Sequence, residues 1–467
     1  MRIPALLTAA SFAVAAQGQV LISDSLLQTL SVGQLGGEGI PSPQYGVRIH
    51  KLVYATTDAF GEATIASGAL VLPNALWCDL PLFAYDHGTV TARDQVPSRL
   101  SYEILVGKYM GSSGFVSVLP DYLGLGDSPG RHPYIHAATE ATATIDMLRA
   151  AREYCAAHGI GLNGEVFLGG YSQGGHAAMA THRMVQQGFP DEFNVVASAP
   201  CSGPYDVSGT QAAVITANEP YPAPYYLPFI LLSYKDLYPG LPTEVSDILV
   251  APYDTLLPPL FDGTHSSGDI DAVMPAIPNQ IIQPALLAEF NGDPDHPFRQ
   301  ALRDNDVYDW SPAVPVRLNY CSGDHHVFYM NSIVARDTML VNGAASVTAT
   351  DFGPGTEHQA CALPALFDAR DWFMSLRTPC AVGVGEQVAD GWSIVYDPGE
   401  QWTVRSGTAA ANAWWLTDAM GRAVMRGTCG NASSLTIDGA LLPVGHYHLA
   451  ILDDGGGRSA IPLMRMP

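Results

Sequence analysis

Ser172 sits in the stretch EVFLGGYSQGGHAAMA, where an apolar run breaks into glycines and then continues as an alanine-rich segment. Gly170, Ser172 and Gly174 form a G-x-S-x-G pattern in a strand–turn–helix setting, the setting in which that pattern marks a nucleophile elbow. A turn tight enough to expose the serine presses together residues two positions to either side of it, so Gly170 and Gly174 are read as clearance for Ser172. A serine hydroxyl is a weak nucleophile until a base takes its proton and an acid orients that base. In this setting the partners follow in the order acid, then histidine, each after a strand. Asp324 closes the run VPVRLNYCSGD, and His358 follows the last strand-like run, ASVTATDFG, in a loop just before a helix. The interval between them has room for one helix and one strand. Asp351 and Asp206 also stand at strand ends, and His325 and His326 adjoin Asp324, but those histidines would lie in the acid's own turn. DHH has no third or fourth ligand at a spacing that would hold a metal.

A developing oxyanion needs donors already in place. The backbone N–H of Gln173, next to the serine, is one candidate. The turn His87-Gly88-Thr89 after the strand PLFAYD offers a second, the backbone N–H of Thr89, with His87 packing structurally. Cys321 lies three residues before the proposed acid and Cys361 three after the proposed base. If acid and base meet, these cysteines meet, and a disulfide between them is expected. Cys155 and Cys201 read as buried thiols, and no CxxC spacing marks a zinc or redox site.

The elements that must position these residues are legible from texture. YGVRIHKLVYATTDAFGEATIASGALVLP alternates around DAFGE as an antiparallel hairpin. Short, nearly continuous apolar runs then alternate with helical segments such as ATEATATIDMLRAAREYCAAHG, which Gly159 ends. That rhythm predicts an α/β fold: a mainly parallel sheet with helices on both faces. Between 205 and 310 the rhythm lapses into prolines and aromatics, EPYPAPYYLPFILLSYKDLYPGLP, which reads as a cap inserted over a site. From about Ala381 the chain turns to glycines and short β-type runs, a small all-β domain with turns at 420–422 and 453–457.

Length and composition agree. The 467 residues are 47% hydrophobic and 14% charged, a globular composition with room for more than one domain. A formal charge of −23, with 22 basic and 45 acidic residues, and Lys only at 51, 108 and 235, argue against nucleic acid and anionic membrane surfaces as partners. The acidity reads as solubility. MRIPALLTAASFAVAAQGQV has one Arg, a short apolar stretch and small residues, the pattern of a secretory signal peptide cut after Ala16 or Gly18. An exported protein is expected, in a compartment that permits disulfides.

Through YDHGT, LPDYLGLGDS, GYSQGGHAA, SGPYD and GDHHV…EHQA the chain resembles the secretory lipase family of α/β-hydrolases from about Tyr45 to Leu376. The resemblance implies an α/β-hydrolase core with a cap before the acid's strand, hydrolysis of acyl esters, and no cofactor or metal. Residue by residue it places Ser172 as nucleophile, Asp324 as acid and His358 as base. The tail, with WWLTDAMGRAVMRG and LPVGHYHLAIL, resembles the C-terminal sorting domain of the type IX secretion system of Bacteroidetes, which would make secretion machinery a partner. The expected molecule is a monomeric, secreted serine ester hydrolase acting on a small-molecule or lipid ester. A peptidase on the same fold and a non-catalytic binding protein are the rival readings.

Overall fold

Alternating apolar and polar residues build the first hairpin. Strands β2 (Val47–Thr57) and β3 (Ala63–Pro73) pair antiparallel along their whole length. Their turn is closed by Asp58, whose Oδ1 accepts from the N–H groups of Phe60 and Glu62, and by Gly61 at φ +80°. An earlier strand, β1 (Leu21–Leu30), pairs antiparallel with β2 and was not foreseen. Two register shifts interrupt it, and its outward face carries exposed Ile22 and Leu26, so no period of two survives in its sequence.

The computed structural model describes residues 19–74, 79–379, 392–396, 401–406, 410–419, 422–440, 442–453 and 458–465. The leader expected at 1–18, Cys78, Cys380 and the centres of the turns expected at 420–422 and 453–457 lie outside these residues. The chain divides into two compact units, Met1–Cys380 and Ala381–Pro467.

In the first unit, β4 (Leu80–Asp86), β5 (Val116–Pro120), β6 (Leu162–Tyr171), β7 (Asn194–Cys201), β8 (Val316–Tyr320) and β9 (Val347–Asp351) join the hairpin in a nine-stranded sheet of order β1-β2-β3-β5-β4-β6-β7-β8-β9. From β5 through β9 neighbouring strands run parallel. The fold is therefore α/β, with an antiparallel edge. Strand alternation feeds two cores. Phe83 and Tyr85 pack with Phe115, Phe167 and Phe373 on one face, while Leu82 and Ala84 pack with Ile145 and Leu148 of helix Ala137–Ala157 on the other.

The chain leaves β4 toward β5 on one side and returns to β6 on the other, so the strand order reverses at β4/β6. Ligands of open α/β sheets bind in the crevice at the carboxyl ends of such strands. Asp86 ends β4 level with Gly170 of β6, which places the turns carrying Thr89 and Ser172 side by side there.

Between β7 and β8 the chain forms helices, including Tyr226–Leu237, Pro284–Gly292 and Pro297–Asp304, with a hydrophobic cluster of their own around Leu232, Ile248, Leu257, Ile270 and Ile281. In the second unit, β10 (Trp392–Tyr396), β11 (Gln401–Ser406) and β14 (Ser434–Asp438) form one antiparallel sheet. The strands β12 (Ala411–Asp418), β13 (Ala423–Ala432), β15 (Gly445–Asp453) and β16 (Arg458–Arg465) form another. Trp402 and Leu435 of the first meet Leu416, Leu449 and Ile461 of the second in one core, a two-sheet sandwich.

Candidate active site

Strand β6 ends at Tyr171, and helix Gln173–Gly188 begins two residues later, so Ser172 must turn the chain alone. It does so at φ +61°, ψ −121°, a conformation that costs a residue with a side chain about 1–3 kcal/mol. A hydrogen bond from the Ser172 N–H to the Cys201 carbonyl, 3.0 Å, helps hold it. The glycines are required by contact. A Cβ on Gly170 would lie 2.1 Å from the Gly174 carbonyl oxygen, and one on Gly174 would lie 1.8 Å from that of Asp86.

After β8 a turn carries Asp324 into the protein, where it is 2% exposed. Its Oδ1 accepts from the N–H groups of His326 and Val327 at 2.8 and 2.9 Å. Its Oδ2 accepts from His358 Nδ1 at 2.6 Å. His358 Nε2 in turn accepts from the Ser172 hydroxyl at 2.8 Å. The sequence placed His358 in a loop just before a helix; the structure makes it the first residue of helix His358–Leu376. Tyr171 donates to the His358 carbonyl at 2.5 Å, fastening His358 to the elbow.

Cys321 and Cys361 are joined, with Cα atoms 6.0 Å apart, so the Asp324 turn and the His358 helix are covalently tied. Gly323 lets the acid turn lie against the loop before the base, since a Cβ there would lie 2.6 Å from the Pro354 carbonyl oxygen. The competing residues are otherwise engaged. Asp206 accepts from the N–H groups of Gly209 and Thr210, and Asp351 from those of Ser322 and Gly353. His325 faces Glu357 at the surface. His326 stacks on His358 with ring centres 5.0 Å apart, and burial, then the neighbouring His358, pushes its pKa down to about 4. Burial likewise pushes the Cys155 and Cys201 thiols up to about 12, leaving them inert.

The loop after β4 brings Gly88 beside Ser172, where a Cβ would lie 3.9 Å from the Ser172 Cβ. Thr89 follows, its hydroxyl 3.1 Å from that of Tyr134. His87 is fully buried, with Nε2 near the Asp121 carbonyl. Gln173 is at the first position of its helix, where a backbone N–H has no helical acceptor and meets the positive end of the helix dipole.

Sequence reasoning missed what holds Gln173. Its amide nitrogen donates to Glu140 at 2.9 Å and to His132 Nε2 at 2.8 Å. One turn on, His176 reaches Glu140 through Nδ1 at 2.6 Å and the Asn305 carbonyl through Nε2 at 2.8 Å. His176 and Glu140 thus tie the elbow helix to helix Ala137–Ala157 and, through the Asn305 carbonyl, to the cap. The signal available was Gln173 and His176 three apart on the elbow helix, but nothing in the sequence says that Glu140 faces them.

Ser172 and Gln173 open on a cavity that runs into the cap past Ile230, Leu231, Leu286, Phe290 and Leu302. The cavity has a volume of about 90 Å3 and is narrow. Its lining is almost wholly apolar. Chemically, the arrangement offers a serine linked to a base and an oriented acid, beside donors for an oxyanion and a slot suited to a hydrocarbon chain.

The secretory lipase family model matches residues 98–223, which include the elbow. Among solved structures, a rice cell wall degrading esterase, LipA of Xanthomonas oryzae, is 30% identical. The match covers 77% of this chain and 99% of that one, with a TM-score of 0.68. A putative hydrolase of Legionella pneumophila is 27% identical over 78% of this chain and 100% of that one, with a TM-score of 0.72. Candida antarctica lipase A, 17% identical over 78% and 84%, shares the fold with a TM-score of 0.60. No curated protein matches the chain.

Proposed function

This chain belongs to the secretory lipase family of α/β-hydrolases and is a hydrolase of the lipase/esterase kind, and from that premise we propose that it cleaves acyl esters through an acyl-enzyme on Ser172. The observation that carries the reading is the continuous chain Ser172–His358–Asp324, at 2.8 and 2.6 Å, at the mouth of an apolar cavity. His358 Nε2 takes the serine proton as Oγ attacks the ester carbonyl. Asp324 keeps Nδ1–H directed at itself and stabilises the imidazolium. The backbone N–H groups of Gln173 and Thr89 receive the oxyanion. His358 then returns the proton to the leaving alkoxide, and a water activated by the same base releases the acid. The acyl chain occupies the cavity, whose lining favours hydrocarbon; triacylglycerols or related lipids are the proposed substrates.

The test is a panel of chromogenic esters of graded acyl length, with Ser172→Ala as control. Wild type is expected to hydrolyse them with a length optimum, and the variant to lose at least 10³-fold in kcat. Equal rates for wild type and variant on every ester would end the assignment. Cleavage of peptides without cleavage of esters would favour a peptidase.

The same proposal makes residues 1–18 a secretory leader and the second unit a type IX sorting domain, resting on the sequence resemblance of the tail. Family membership and the Cys321–Cys361 bond favour an extracellular location. A monomer is the proposed state.

A further inference from the structure

Most polar groups around Ser172 come from the sheet's carboxyl edge, but Tyr226 comes from the cap. Tyr226 opens helix Tyr226–Leu237 and lines the cavity alongside Ser172. Four aromatic rings surround its own, Tyr221 at 6.3 Å among them. Tyr225 packs edge-on at 4.5 Å, Tyr134 lies at 6.2 Å, and His326 lies at 6.1 Å. Two of these neighbours belong to the reacting groups' own surroundings. Tyr134 holds the Thr89 hydroxyl, and His326 stacks on His358. The Tyr226 hydroxyl itself interacts with the side chains of Tyr225, Thr89 and Ser172. Ser172 gives its own proton to His358, so toward the phenol it can only accept. Tyr226 is therefore placed to donate its proton toward the Ser172 oxygen, next to the Thr89 loop. Burial pushes its pKa up to about 12, which keeps that proton in place at neutral pH.

We propose that Tyr226 is a catalytic residue, its phenol O–H donating a hydrogen bond to the ester carbonyl oxygen as that oxygen becomes an oxyanion. The inference rests on Ser172 being the nucleophile. As the Oγ–C bond forms, the carbonyl π pair moves onto oxygen and the serine proton goes to His358. Tyr226 keeps its proton and shares it with the new oxyanion, beside the N–H groups of Thr89 and Gln173. When the carbonyl re-forms and the alkoxide leaves with the proton from His358, the phenol returns to its resting partners. A cap that carries an oxyanion donor completes the site only when it is seated, which ties substrate enclosure to reaction.

Tyr226→Phe keeps the ring and removes the donor. With active sites counted by stoichiometric fluorophosphonate labelling, so that misfolded molecules are not scored, kcat on a short-chain ester is expected to fall about 100-fold with KM within two-fold. Affinity for a trifluoromethyl ketone, which forms the oxyanion, should fall by a similar factor, and that for the matching alkyl ether, which cannot, should hold. A kcat within three-fold of wild type, or a loss in KM alone with ketone affinity unchanged, would overturn the proposal. Ser172→Ala run beside it separates the two readings: if that variant keeps full activity, the nucleophile assignment fails whatever Tyr226 does.

Discussion

Replacing both Cys321 and Cys361 by alanine tests whether the acid and base are held by a covalent tie or by the surrounding contacts. The bond joins residues 40 apart, and in the loop-closure model removing such a cross-link costs about 4 kcal/mol, chiefly by freeing the unfolded chain. For a unit of this size, with about 2 cal/mol/K of unfolding entropy per residue, that corresponds to a fall in Tm of about 5 °C. Function should respond differently. Asp324 and His358 remain joined by their 2.6 Å hydrogen bond, Gly323 stays seated under Pro354, and Tyr171 still holds the His358 carbonyl. At 25 °C, kcat on a soluble short-chain ester is therefore expected within ten-fold of wild type. The assay pairs thermal unfolding, followed by tryptophan fluorescence, with ester hydrolysis after incubation at rising temperature. Activity in the double variant should disappear about 5 °C earlier. If the midpoint shifts by less than 1 °C, loop closure contributes nothing here. If activity is lost at 25 °C while the midpoint holds, the noncovalent contacts do not place the acid and base by themselves.

Two further substitutions address the elbow and the buried histidines. Gly174→Ala puts a methyl 1.8 Å from the Asp86 carbonyl oxygen, a backbone atom that cannot swing away, so β4 and the elbow must part. The expected result is a loss of at least 100-fold in kcat, with destabilisation of about 3 kcal/mol, and an active, stable variant would show that the turn does not need the clearance. His182 is buried against Ser198 and Trp310, and burial pushes its pKa down to about 3. The folded group thus stays neutral where the unfolded one, near 6.5, takes up a proton. Its contribution is complete above about pH 6.5 and is lost as pH falls toward 3. The difference in unfolding free energy between wild type and His182→Gln should therefore change by about 1.4 kcal/mol per pH unit between pH 6 and 4, favouring the variant on the acid side. A pH-independent difference would mean that His182 is protonated in the folded protein.

What the sequence made legible follows from how local each constraint is. The elbow is written in five residues because the clash that requires Gly170 and Gly174 is itself local. Asp324 and His358 were legible because chain order restricts where an acid and a base can stand. The parallel sheet was legible because strands buried on both faces read as unbroken apolar runs. β1 was not, since its bulges break the alternation and its outer face is wet. The clamp of Glu140, His132 and His176 on Gln173 depends on which faces of two helices meet. Tyr226 was one tyrosine among several in PYPAPYYLPF until the folded cap set its hydroxyl beside Ser172. The slot through the cap is likewise written in no single segment, because its walls come from residues scattered between 134 and 327.

The cap leaves and rejoins the core at nearly one point, for the Val307 N–H donates to the Tyr205 carbonyl at 2.9 Å. To the sheet, about a hundred residues of insertion are equivalent to a short turn closed by one hydrogen bond. Because closure entropy grows only slowly with loop length, such a module can lengthen, shrink or be exchanged for another with little strain on the strands beneath. Transplanting a cap from a relative between these two residues would thus change the shape of the cavity beside Ser172, provided the new cap restores the bonds that Gln211 and Tyr221 give the His326 carbonyl and that Asn305 gives His176. It would also exchange whatever group the new cap presents in place of Tyr226.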